Sequence, residues 1–155
     1  MGSLVERIAS VATKPLTRDL TVVAAEDVGG GFRLVVLGGA GKVGWAVGQK
    51  VQLRAGGFDF RTYTPFAWTG DEVSLLVALD ATGPGTALVR SLAPGAVVSA
   101  MGPSRAVDLA KVTTAPLFVG DETSIALGAA WEAAGPVPAA GHLYEVGDPA
   151  AVAPV

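Results

Sequence analysis

The sequence contains no cysteine and a single histidine. Without a thiol there is no disulfide framework, no thiolate zinc site, no cysteine-held iron-sulfur cluster and no thiol nucleophile. Any redox chemistry must therefore come from a bound cofactor. Charge is sparse as well: 16% of the 155 residues are charged, and 11 Lys and Arg against 14 Asp and Glu leave a net charge of −3. That balance argues against nucleic acid or an anionic membrane as the main partner. Basic residues stop after Lys111, whereas Asp121, Glu122, Glu132, Glu145 and Asp148 follow it. Phosphate bound by this acidic stretch would have to rely on backbone amides and a helix end. Long apolar runs are also missing, because Gly, Pro or a charge interrupts each one before the roughly 18 residues that a membrane helix needs. The start MGSLVERIAS lacks the basic head and continuous apolar stretch of a secretory signal, and Glu6 stands where a myristoylation motif wants Ser or Thr. A soluble, cytoplasmic protein is the expectation.

What is present is ample apolar material, half of all residues, enough for one domain or one small domain plus part of another. Up to about Pro103 the chain reads as short strands punctuated by glycine pairs: Leu20 to Ala25, Phe32 to Leu37, Lys50 to Arg54, Phe58 to Thr64, Glu72 to Leu79 and Ala96 to Met101. Strands of this length joined by short turns suggest a mainly β fold, a small six-stranded antiparallel barrel. One helix, Thr86 to Leu92, interrupts them. After Lys111 the texture changes to a strand at Leu117 to Gly120, an Ala-rich helix at Thr123 to Ala134 and a strand at His142 to Val146, a single βαβ unit. Two parallel strands and one helix cannot cover both faces of their sheet. Residues 1–111 are thus expected to form a barrel, and residues 112–155 part of an α/β domain that a partner subunit or a further C-terminal domain would complete.

The stretch Phe58-Asp59-Phe60-Arg61-Thr62-Tyr63-Thr64-Pro65 carries the most chemistry. A period of two places Phe58 and Phe60 on one face and Arg61 and Tyr63 on the other. The phenylalanines are expected to fill the barrel, leaving Arg61 and Tyr63 on its outer wall. A guanidinium fork beside a phenol ring suits a ligand with both a phosphate and a flat ring, although an exposed cross-strand pair would show the same alternation. Pro65 cannot donate to a ladder, so pairing is expected to end there and free Thr64. Downstream, Gly83-Pro84-Gly85-Thr86 opens the short helix, where backbone amides can approach a phosphate. Thr86 serves equally well as a helix N-cap.

Arg61-Thr62-Tyr63-Thr64, Gly83-Pro84-Gly85-Thr86 and Val119-Gly120-Asp121-Glu122-Thr123, in that order, resemble the motifs of the siderophore-interacting branch of the ferredoxin-reductase-like flavoproteins. The segment WAVGQKV, Trp45 to Val51, is similar to that family's W-x-P-G-Q-x-V turn, with Val47 in place of the proline. The resemblance implies a Greek-key barrel holding FAD. Arg61 would pair with the pyrophosphate, Tyr63 would pack on the flavin or ribityl chain, and Thr64 would contact the ring edge. Gly83, Pro84, Gly85 and Thr86 would close over the pyrophosphate, while Gly120, Asp121, Glu122 and Thr123 would begin a nicotinamide dinucleotide subdomain. It further implies electron transfer from NAD(P)H through FAD to a ferric siderophore, or alternatively a flavin module that needs a partner. No metal site and no catalytic side chain are expected. The sequence departs from the family in two respects: the His common before the glycine turn is replaced by residues Asp80 to Thr82, and the cations that would hold an NADPH phosphate are missing. His142 reads as structural, since a general base must sit beside its proton. Asp121 and Glu122 equally suit a helix N-terminus. An anionic chelate would approach the more basic first half, near Arg33, Lys42, Lys50 and Arg54.

Overall fold

The computed structural model describes residues 16–79, 82–105, 107 and 109–149, together with 4–6 and 8. Valine- and leucine-rich runs form strands, and glycines make the turns between them. Seven strands build one antiparallel sheet: β1 (Arg18–Gly29), β2 (Phe32–Gly38), β3 (Gln49–Gly56), β4 (Asp59–Tyr63), β5 (Pro65–Thr69), β6 (Glu72–Ala78) and β7 (Val97–Arg105). The β1–β2 turn runs through Gly30 (φ 58°) and Gly31 (φ 74°). Two successive positive φ values give the turn whose twist matches a hairpin, and side chains bearing a Cβ resist them.

The order across the sheet is β4-β3-β7-β1-β2-β6-β5. Its two end strands are consecutive in the chain, separated only by Thr64, so the sheet curls back on itself. β4 and β5 act as one bent strand that pairs first with β3 and then with β6. The result is the expected six-stranded antiparallel Greek-key barrel, and its curl shelters most of the edge that an open sheet would carry. Pairing does not end at Pro65, contrary to expectation. Pro65 stands opposite Leu75 at the start of the β5–β6 ladder. A residue without an N–H suits the point where one ladder stops and the next begins.

The barrel core includes the fully enclosed Val35, Leu37, Leu53 and Val73. Helix α1 (Pro84–Ser91) adds Val89, and Leu92 follows just past its end, so the helix stoppers the barrel with its apolar side. α1 begins two residues earlier than the sequence suggests. Gly83 is the N-cap and Pro84 occupies the first turn, with no side-chain capping bond; Thr86 is therefore not the cap. The WAVGQKV turn is clasped by Gln49, whose Oε1 accepts from the Ala46 N–H at 2.9 Å while its own N–H donates to the Ala46 carbonyl at 3.1 Å.

Beyond the barrel, β8 (Leu117–Asp121), a 3-10 turn (Glu122–Ser124), α2 (Ile125–Ala134) and β9 (Gly141–Glu145) form the βαβ unit, with β8 and β9 parallel. α2 covers one side of this small sheet and packs toward the barrel. Trp131, 1% exposed, lies in a second core with Val47 and Ala130, and Phe66 of β5 and Phe118 of β8 border it. No helix among the described residues is long and apolar enough to cross a membrane.

Candidate functional site

The register against β3 decides which way β4 faces. Val51 stands opposite Tyr63 and Leu53 opposite Arg61, and directly opposed residues project to the same side of a sheet. Val51 and Leu53 belong to the barrel core, so Arg61 and Tyr63 are in the inward set. Thr62 shares the outer side with Gln52, whose amide donates to the Thr62 hydroxyl at 3.3 Å. Phe60 lies beneath the Arg54 guanidinium, which sits 5.2 Å from its ring centre, and Phe58 is 56% exposed. The expected facing is therefore reversed: the phenylalanines are outside, and Arg61 and Tyr63 are not on the outer wall. Alternation says which residues travel together, but a shift of one residue moves the whole set to the other face.

Arg61 and Tyr63 escape full burial because β4 has a partner on one edge only. The β5–β6 ladder stops at Pro65 and Leu75, so β4 and residues 76–78 of β6 border an open seam. A cleft of about 370 Å³ fills this seam. Arg61, Thr62, Tyr63 and Thr64 line it from the bent strand, Gly85 and Thr86 from α1, and Thr123 from the turn before α2. Parts of all three sequence motifs thus meet in one place. Gly83, Pro84, Gly120, Asp121 and Glu122 lie outside that lining.

Those five residues shape the backbone that carries the lining. Gly83 takes φ 150° at the N-cap, a conformation only glycine adopts freely, and Pro84 starts the helix. A Cβ on Gly120 would overlap the Ser124 side chain. The Asp121 carboxylate accepts from the Thr123 hydroxyl at 2.6 Å and from its N–H at 3.0 Å. The hydroxyl contact is the main cause holding Asp121 below its ordinary value of 3.8. Glu122 Oε1 accepts from the Gly147 N–H at 2.7 Å. These two acids tie down the turn that presents Thr123.

Within the cleft the Tyr63 hydroxyl donates to the Gly85 carbonyl at 3.2 Å. Burial pushes the Tyr63 phenol up from 10.0, and the Arg61 charge opposes that rise. A Cβ on Gly85 would stand 3.2 Å from that hydroxyl and 3.3 Å from Arg61 Cγ. Glycine lets α1 settle directly onto both side chains, bringing its N-terminus to Arg61. The first-turn amides of a helix have no intrahelical acceptor, so Gly85 and Thr86 add donors and a favourable dipole beside the guanidinium. A cation, a helix start, threonine hydroxyls and a phenol ring fit a ligand with a phosphate and a planar ring. No group of metal-ligating side chains occurs among the described residues.

Sequence reasoning missed Asp59, whose carboxylate pairs with Arg61 at 2.7 Å. The signal was available, since residues two apart on a strand share a face. His142 is engaged elsewhere: Nε2 meets Glu132 Oε1 at 2.8 Å, Nδ1 meets the Tyr144 hydroxyl at 3.0 Å, and the ring stacks on Phe118. It ties β9 to α2, as a structural reading requires. Of the four cations suggested for an anionic chelate, Arg33 is paired with Asp27 at 2.6 Å and Arg54 covers Phe60, so neither is available as a simple exposed charge.

The sequence matches no protein-family model and no curated protein. Solved structures do resemble it. A siderophore utilization protein from T. fusca superposes with a TM-score of 0.69 at 23% identity, covering 86% of this chain and 62% of that one. The siderophore-interacting protein SipS from Aeromonas hydrophila gives 0.66 at 22% identity, covering 88% and 65%. Phthalate dioxygenase reductase, described as a modular structure for electron transfer from pyridine nucleotides to [2Fe-2S], gives 0.73 at 17% identity, covering 90% and 46%. The chain spans less than two thirds of the length of each. It has the fold of the siderophore-interacting proteins and the ferredoxin-reductase-like flavoproteins.

Proposed function

We propose that the seam cleft binds FAD and that the chain works in flavin-linked electron transfer, with NAD(P)H as the electron source and a ferric siderophore as the acceptor. The observation that carries this reading is the meeting of Arg61 to Thr64, Gly85 to Thr86 and Thr123 in one cleft. Arg61 would hold the pyrophosphate together with the first-turn amides of α1, Tyr63 would pack along the ribityl chain or ring, and Thr64 would present its hydroxyl to the ring edge. When bound, the flavin accepts a hydride and releases electrons singly. The side chains bind and orient; none needs to act as acid or base. In this reading iron would stay in its chelator, since the sequence offers one histidine and no cysteine to ligate it.

A second reading treats the chain as a flavin module that draws electrons from a partner. Two observations favour it. The β8–β9 unit leaves one sheet face open, with Leu117, Val119 and Leu143 exposed, and no Lys or Arg follows Lys111 to hold an NADPH phosphate. We place the division between barrel and nucleotide-type unit near residue 112.

Titration of FAD into the chain, followed by flavin fluorescence, tests the site. Arg61→Ala should weaken binding by about 1.5 to 3 kcal/mol, the range for a hydrogen bond to a charged group, and Arg61→Lys should recover only part because it lacks the fork. Unchanged affinity in Arg61→Ala would remove the assignment. For the activity, chemically reduced flavoprotein mixed anaerobically with a ferric hydroxamate should reoxidise faster than free FAD does. Equal rates would leave the module reading.

A further inference from the structure

Asp59 and Arg61 lie two positions apart on β4 and so project to one side of it. Their groups meet fork to fork: Nη1 is 2.7 Å from Oδ1 and Nη2 is 2.8 Å from Oδ2. Nη1 also donates to the Phe60 carbonyl at 3.4 Å. This two-point geometry is the one that a phosphate would use on a guanidinium. Meanwhile the Arg61 stem lies beside Gly85, with its Cγ and Cδ next to where a Cβ would stand. The stem therefore reaches the start of α1, while Asp59 engages the charged end from a position further back along the strand than Tyr63 and Thr64. The side chains of Arg61 and Asp59 are 42% and 41% exposed, a setting where ion pairs are weak and change partners readily.

We propose that Asp59 is a built-in competitor for the phosphate-binding fork of Arg61. A phosphate docking between Arg61 and the first turn of α1 takes over the two terminal nitrogens that Asp59 engages, and the carboxylate withdraws to solvent. While the pair is closed, the −1 of Asp59 cancels the +1 of Arg61 at the mouth of the cleft. Affinity is thereby set below what Arg61 alone would give, and release of the ligand is eased because Asp59 can reclaim the fork. This inference rests on the phosphate-binding reading of the cleft.

The test is a double-mutant cycle. FAD is titrated into the full chain carrying no change, Asp59→Asn, Arg61→Ala, or both, with circular dichroism melting to check folding and riboflavin as a probe without phosphate. Asp59→Asn should tighten FAD about two- to fivefold, the equivalent of a surface ion pair, and leave riboflavin affinity unchanged. In the Arg61→Ala background the same change should gain nothing. A gain that persists without Arg61 would mean simple repulsion between Asp59 and phosphate and would overturn the competition. So would an unchanged or weakened FAD affinity in Asp59→Asn, which would make Asp59 an orienting residue. If Arg61→Ala itself loses no affinity, the phosphate reading of the cleft fails and this proposal goes with it. Loss of FAD binding in Arg61→Ala together with an inert Asp59→Asn would overturn the competition alone.

Discussion

The barrel and the βαβ unit solve the same problem with unequal success. Both are built from short apolar strands, yet the barrel hides its inner face, and all of its edges but the seam beside β4, by curling back on itself. The two-stranded unit hides one face under α2 and leaves the other open: Leu117, Val119 and Leu143 are 62%, 66% and 63% exposed. Apolar content is thus not what separates them. A closed sheet needs no other element to satisfy its strands, whereas a parallel pair needs layers on both sides. The covered face of the unit is completed by the barrel, since Trp131 shares its core with Val47 and is bordered by Phe66.

This contrast can be broken by experiment. The largest effect should come from Trp131→Ala, which removes a side chain 1% exposed and its hydrogen bond to the Val137 carbonyl at 2.8 Å. A loss of about 3 to 5 kcal/mol is expected for such a truncation. Native-state hydrogen exchange should show it in β8, α2 and β9 and spare β1, β2 and β6. Equal loss of protection in the barrel would show a single cooperative unit and end the contrast.

A matched pair of substitutions sharpens it. Val35→Thr places a hydroxyl in the sealed barrel, where Val35 is 0% exposed, and should cost about 1 to 3 kcal/mol. Val119→Thr on the open face should change stability by no more than about 0.5 kcal/mol. Urea denaturation of the two variants gives the comparison, and a large cost at Val119 would mean that the open face is covered in solution.

The smallest effect concerns the turn before α2. The folded state holds Asp121 below 3.8, chiefly through the Thr123 hydroxyl. A carboxylate lowered on folding contributes stability that is present above its unfolded value and lost as pH falls through the folded one. Protection of the Thr123 amide should therefore decline as the pH drops below about 4, and Asp121→Asn should remove that dependence. An amide whose exchange in Asp121→Asn follows the same pH curve as the unchanged chain would assign the effect to another group.

Much of this molecule was readable beforehand, for reasons particular residues make plain. Glycine pairs marked the hairpins because turns need positive φ, and the Ala-rich run after Gly120 announced a helix between two apolar strands. The cleft was legible as three separated motifs because each has its own local chemistry. The Asp59–Arg61 pair was not legible as a contact, because i, i+2 spacing shows that two residues share a face but not that their charged ends meet.

By itself, the sequence determined where most strands and both helices lie, though not β5 or the first turn of α1, together with the exclusion of thiol chemistry, the acidic second half, and the grouping of Arg61 with Tyr63. Those follow from residue type and local periodicity. Tertiary structure alone decided that this pair belongs to the inward side, that the chain changes partner at Pro65 instead of leaving the sheet, and that Gly83, not Thr86, caps α1. The physical reason is common to all three. Local sequence fixes relations between neighbours along the chain, whereas the face a strand presents, the partner it takes and the seam left open are set by which distant strand lies beside it.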